Sequence, residues 1–153
     1  MIVSDSTTLI ILLDLNKLDL LTNLFHKIII PKAVYQEITF KKPIEETGLI
    51  EVKQPTNKET LEALNIVLDQ GESEAIALAL ELELGLIIDE KKGRKIAINR
   101  GLKIIGLLGI IYLNVTKGFL SITQAKDFLS DAIEHGYRIN QKLIDNMFKE
   151  LEK

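Results

Sequence analysis

Leu86-Ile87-Ile88-Asp89-Glu90, followed at once by Lys91-Lys92-Gly93-Arg94-Lys95, decides the fold. Three aliphatic residues in a row, without alternation, read as a strand buried on both faces, the habit of a central strand in a parallel sheet. The run stops at two acids, and Lys91–Arg100 reads as a helix with a basic face. A parallel neighbour needs a crossover element, and Lys103-Ile104-Ile105 supplies the next strand beyond that helix.

The same alternation extends outward. Ile2-Val3-Ser4 reads as a strand ending at Asp5, with Ser6 or Thr7 placed to cap the following helix. Helical stretches at about Thr8–Asn16 and Leu18–Phe25 lead to Lys27-Ile28-Ile29-Ile30, a β-branched strand closed by Pro31. Pro31 suits the first turn of a helix carrying Ala33, Val34 and Ile38. The polar, proline-containing Lys41–Thr47 is a loop, and Leu49–Val52 is a weaker strand. Thr56-Asn57-Lys58-Glu59 has the form of a capping box opening a helix to Asp69, with Gly71 suited to a left-handed turn that stops it. A further helix is expected from Glu72 through Glu83, and another over Leu107–Val115.

Strands alternating with helices predict a three-layer α/β/α fold around a central, mostly parallel sheet. From Ser121 the strand signal vanishes. Ser121-Ile122-Thr123-Gln124 is a capping box, and Ala125, Phe128, Leu129, Ala132 and Ile133 repeat with helical period. Gly136 breaks that helix, and Leu143, Ile144, Met147, Phe148 and Leu151 mark a last amphipathic one. We expect a single domain over 1–153, with a core of about 1–120 and a helical C-terminal appendage of about 121–153. The apolar face of that appendage predicts packing on the domain and a homodimer.

Composition narrows the function classes. With 46% hydrophobic and 27% charged residues, the 153-residue chain is globular and long enough for one hydrophobic core. The absence of cysteine excludes disulfides and thiolate metal sites and suits a reducing compartment. Met1-Ile2-Val3-Ser4-Asp5 lacks a basic signal-peptide start, and no apolar run approaches the roughly 20 residues of a membrane span, so a cytoplasmic location without membrane contact is expected. A net charge of −3 excludes a global positive field, so any nucleic-acid site must be local. Lys91, Lys92, Arg94, Lys95, Arg100 and Lys103 form the dense basic run, either a solvated helix face or a phosphate-backbone track.

Asp5 and Asp89-Glu90 end two predicted strands, and ligands of parallel sheets bind beyond the carboxyl ends of strands where strand order reverses. Acids brought together there repel unless a hard cation bridges them. Glu37 lies in the helix after Pro31, and Glu72 and Glu74 open the helix after Gly71. Taken singly, each is an ordinary cap or surface charge; the joint arrangement is what points to chemistry. His26 and His135 lack partner motifs and read as surface or helix-end residues. Asn114-Val115-Thr116 matches a glycosylation sequon without meaning in a cytoplasmic protein.

Four segments together resemble PIN domains. Ile2-Val3-Ser4-Asp5-Ser6-Thr7-Thr8 is similar to their opening, and Ile30-Pro31-Lys32-Ala33-Val34-Tyr35-Gln36-Glu37-Ile38 to their second segment. Gly71-Glu72-Ser73-Glu74-Ala75-Ile76-Ala77-Leu78-Ala79 and Leu86-Ile87-Ile88-Asp89-Glu90 resemble the third and fourth. Gly106-Leu107-Leu108-Gly109 resembles a PIN-like subgroup related to VapC-type toxins, with Leu107 where Thr or Ser usually stands. The resemblance implies a metal-dependent endonuclease, usually acting on RNA and in toxins paired with an antitoxin protein. It implies Asp5, Glu37, Glu72 and either Asp89 or Glu90 around Mg²⁺ or Mn²⁺, with Ser6, Thr7 and Glu74 as accessory groups, Glu74 rivalling Glu72. Lys91, Lys92, Arg94 and Lys95 would track the nucleic acid. The chemistry agrees: carboxylates suit hard cations, which acidify water and offset phosphate charge.

Overall fold

All five predicted apolar runs form strands, and each is two or three residues long. The computed structural model describes residues 1–41 and 48–153. Its strands are β1 (Ile2–Ser4), β2 (Ile28–Ile30), β3 (Ile50–Val52), β4 (Leu86–Ile87) and β5 (Ile104–Ile105), joined in the order β3-β2-β1-β4-β5. Every pairing is parallel, with Ile2 opposite Ile28, Val3 opposite Leu86 and Ile87 opposite Ile105.

The pleat sends successive residues to opposite faces, and two cores result. Ile2, Ile28, Ile30 and Ile87 pack on one side against α1 (Ser6–Asp14), α2 (Asp19–Thr22), α3 (Lys32–Lys41) and α7 (Leu107–Thr116). Val3, Ile29, Leu86 and Ile88 pack on the other against α4 (Lys58–Asn65), α5 (Gln70–Leu82) and α6 (Lys91–Asn99). The three-layer α/β/α arrangement is therefore as expected, with a purely parallel sheet. The chain winds from β1 to one edge through β2 and β3, then returns to β4 on the other flank of β1. The strand order thus reverses between β1 and β4, the two strands that end in acids.

Several local expectations are corrected. The position capping α1 is Asp5, not Ser6 or Thr7; Ser6 opens the helix and donates instead to Glu37. Thr56 and Glu59 form no capping box. Asn57 caps α4 by accepting from the Thr60 N–H, while Thr56 donates through both N–H and hydroxyl to Glu81. The helix ends at Asn65 rather than Asp69, and Gly71 does not stop a helix but lies in the first turn of α5, capped by Asp69. A Cβ at Gly71 would collide with the Glu37 carboxylate, so close approach, not a left-handed turn, explains this glycine. Lys41 ends α3, and the rest of the predicted loop lies outside the described residues.

The appendage forms α8 (Ile122–Glu134), opened by the predicted Ser121–Gln124 capping box, and α9 (Gln141–Leu151). Gly136, with φ of +98°, makes the turn between them, a conformation that side chains with a Cβ avoid. Ala125, Phe128, Leu129, Ala132, Ile144 and Phe148 are buried in the same core as β1 and α7. Ile133 and Leu143 stay 43% and 54% exposed. Asn114, the sequon asparagine, is fully buried; its amide donates to the Leu20 and Ile110 carbonyls, and its Oδ1 accepts from Asn23. It pins α2 to α7. Among the described residues no helix is long and apolar enough to cross a membrane.

Candidate active site

The exits of β1 and β4 place Asp5, Asp89 and Glu90 at one end of the sheet, where α5 adds Asp69 and Glu72 and α3 adds Glu37. Asp5 is 5% exposed. Burial above all pushes its carboxyl from 3.8 up to about 7; the charges of Glu37, Asp69 and Asp89 push the same way, and a bond from the Ser6 N–H opposes them. Glu72 is 8% exposed, and its Oε2 has no hydrogen-bond partner. Burial raises its carboxyl from 4.5 to about 8, reinforced by contact with Glu90 and by Asp69. Two ionised carboxylates repel, so the approach of Glu72 to Glu90 favours a proton on Glu72 or a cation beside the pair. Gly93 leaves room beside both: a Cβ there would meet Ile88 Cδ1 at 2.7 Å, Glu72 Oε2 at 3.1 Å and Glu90 Oε2 at 3.2 Å.

The neighbouring acids at the end of β4 take different work. Glu90 caps α6, accepting from the Lys92 N–H at 3.0 Å and the Gly93 N–H at 2.6 Å. Against partial desolvation, the adjoining Glu72 carboxyl and then these two backbone bonds hold its carboxyl below the usual value, although the residue is exposed. Asp89 accepts from the Thr8 hydroxyl, from the Leu107 N–H at 3.1 Å and from the Tyr137 hydroxyl at 3.1 Å. The polar contact that Leu107's side chain cannot make thus comes from its backbone, and Gly106 leaves room for it, since a Cβ would stand 2.5 Å from Asp89 Oδ1. Burial beside the negative Asp89 pushes the Tyr137 hydroxyl far above its ordinary value, so Tyr137 stays a donor.

The other predicted residues divide. Glu37 accepts from the Ser6 hydroxyl at 2.8 Å. Thr7 is exposed on the rim of the clefts beside the acids. Glu74 is buried and satisfied by the Ala33 N–H at 3.3 Å and the Gln70 amide at 2.8 Å, so it braces α3 rather than facing the acids. Arg94 donates to the Ile88 carbonyl at 2.8 Å, which makes it a brace for the β4 exit, whereas Lys91, Lys92 and Lys95 are exposed. His135 bonds through Nδ1 to the Asp131 carbonyl at the end of α8, the helix-end place expected for it.

Two site residues were missed. Asp69 accepts from the Glu72 N–H at 2.8 Å and raises the proton affinity of Asp5 and Glu72. The spacing Asp69-x-x-Glu72 is a helix-start signature that could have revealed it. Tyr137 carries no comparable signal, because its contact with Asp89 joins residues 48 apart in sequence.

We expect Asp89→Asn to destabilise the protein by about 2 kcal/mol, because an amide turns a donor toward groups that need an acceptor. Glu90→Gln should stay within about 0.5–1 kcal/mol of the parent, since Gln still accepts at the cap and can donate to Glu72. Urea denaturation of the two metal-free variants decides; equal losses would contradict the division of roles.

An acidic centre at the switch point of a parallel three-layer sheet is the arrangement that the resemblance to PIN domains implies. The chain belongs to the DUF3368 family, described as PIN domain, whose profile matches residues 1–153. PIN domains are generally nucleases that use divalent metal ions. The chain is also similar to a PilT N-terminus domain protein from the hyperthermophilic archaeon Sulfolobus solfataricus P2, at 20% identity over 92% of this chain and 100% of that one, with a TM-score of 0.42. Comparison with curated protein sequences gives no match.

Proposed function

We propose that the chain is a metal-dependent endonuclease that cleaves phosphodiester bonds in RNA. One observation carries the reading: no donor of the chain bonds the buried Glu72 Oε2, while the Glu90 carboxyl adjoins it and Asp69 and Asp5 bring negative charge to it. A fold keeps such an arrangement at a cost in stability unless something positive joins it in function. All the donors are carboxylate oxygens, the set that suits Mg²⁺ or Mn²⁺. Among the described residues no three His, Asp or Glu side chains stand together as a group that could hold a metal ion, so the fit lies in donor chemistry and charge alone.

In this reading Asp5, Glu72 and Glu90 hold the ion and Glu37 joins from α3. Asp89 belongs to the same acidic group but fixes the frame through Thr8, Leu107 and Tyr137. The bound ion supplies the positive charge that polarises a phosphate and offsets its charge in the transition state. Ser6 holds Glu37 in place, and Gly71 and Gly93 keep the approach to the acids open. Lys91, Lys92 and Lys95 offer exposed charge to the nucleic-acid backbone beside the site.

A toxin role with an antitoxin protein, a cytoplasmic location and a homodimer belong to the same proposal. The physical motive for the homodimer is smaller than the sequence implied, since most of the appendage's apolar face is buried within the chain. A non-catalytic nucleic-acid- or protein-binding module is the rival, favoured by the absence, among the described residues, of any three such side chains grouped to hold a metal. Incubating purified protein with an RNA pool and Mn²⁺, with and without chelator, separates the two. Chelator-sensitive fragmentation is expected; intact RNA at every divalent ion tried would sink the nuclease reading.

A further inference from the structure

We infer that the α8–α9 turn belongs to the substrate site, and that Arg138, with Lys91 across the cleft, binds a backbone phosphate of the nucleic-acid strand beside the acids. The identity of the ligand rests on the functional reading above; the anion site itself rests on the geometry that follows. Two clefts meet at Asp89. One, of about 400 Å³, lies between Thr7 and Ile10 of α1 and the α8–α9 turn. The other, of about 510 Å³, lies between Lys91 and Arg94 of α6, the start of α7 and the same turn. Arg138 lines both.

The turn is held firmly. Tyr137 is 5% exposed, its N–H donates to the Ala132 carbonyl at 2.9 Å, and its hydroxyl is bonded to Asp89. Gly136 takes the positive φ that lets the chain reverse directly before it. Arg138 therefore follows an anchored residue, so its backbone has a fixed place beside Asp89 although its side chain is exposed. Among the described residues neither Arg138 nor Lys91 forms an ion pair or hydrogen bond through its side chain, whereas Arg94 in the same cleft is bonded to the Ile88 carbonyl. In a chain with 22 acids and 19 Lys and Arg, two unpaired cations facing one cleft next to an acidic cluster make a local anion site. A strand whose reacting phosphate lies at the acids must carry its next phosphate away from them, and joined clefts with cations on their walls meet that need. Arg138 also gives the appendage a role at the site that requires no second subunit.

The test is binding of a fluorescent RNA pool by full-length protein in chelator, which prevents metal-dependent cutting, read by anisotropy across a salt series. Arg138→Ala should weaken binding about three- to tenfold and reduce the slope of log affinity against log salt by about one. Lys91→Ala should act alike. Lys149→Ala, an exposed charge on α9 away from both clefts, should leave affinity and slope unchanged. Parental affinity and slope in Arg138→Ala would overturn the inference, as would an equal loss in Lys149→Ala or no RNA binding by the parent. Parental binding that depends on Arg138 without cleavage in Mn²⁺ would refute the nuclease reading and leave this site standing. Cleavage by a protein whose affinity ignores Arg138 would do the reverse.

Discussion

Asp5→Asn is expected to reduce metal-dependent RNA cleavage by about 10³-fold while leaving the fold intact and, without metal, more stable. The side chain is buried among Glu37, Asp69 and Asp89, and its carboxyl is pushed up to about 7, chiefly by burial. An amide keeps the shape and removes the charge, so it relieves repulsion that contributes nothing to packing. At pH 8 the metal-free variant should gain about 1–3 kcal/mol, the scale of a partial release of that shift. The activity loss follows because a neutral oxygen is a poor donor to a hard cation, and losses of about 10²–10³ accompany removal of one well-placed electrostatic group. Single-turnover cleavage rates and urea melts in chelator read both effects. Parental cleavage by a folded Asp5→Asn protein would remove Asp5 from the site.

The second large effect concerns pH. Both Asp5, up to about 7, and Glu72, up to about 8, bind protons more tightly folded than unfolded. Each therefore stabilises the fold in full below its ordinary value near 4, and that contribution is lost as pH rises through 7 and 8. Metal-free stability should fall between pH 5 and pH 9 by on the order of 4 kcal/mol, less than the sum of the two separate shifts because they share one acidic centre. For a chain of this size that is roughly 10 °C in melting temperature. A divalent cation competes with those protons, so Mn²⁺ should raise stability more at pH 8.5 than at pH 5.5. Glu72→Gln should flatten both trends. Melting curves in chelator and in Mn²⁺ across this range check the argument, and a metal-free melting temperature that climbs toward pH 9 would refute it.

These acids show how far the sequence reaches. An apolar run ending in an acid was legible twice, at Ile2–Asp5 and Leu86–Asp89, because strand burial and strand termination are both local properties. The alternation of strands and helices was legible for the same reason, and so was the Ser121–Gln124 box, which closes within four residues. The Thr56–Glu59 box failed because Glu81, distant in sequence, took the Thr56 donors. Gly71 was misread as a helix stop because its reason is the Glu37 carboxylate brought over by another helix.

The sequence by itself determined the layered α/β class, the five strands and the acids at two of their exits, since periodicity, propensity and strand termination act over a few neighbouring residues. It left open which of two adjacent acids does what. Only the tertiary structure could place Glu90 against Glu72 and surround Asp89 with Thr8, Leu107 and Tyr137, drawn from three distant helices and turns. Proton affinity and hydrogen-bond satisfaction depend on burial and on neighbours within a few ångströms, and those neighbours are chosen by the packing of the whole chain.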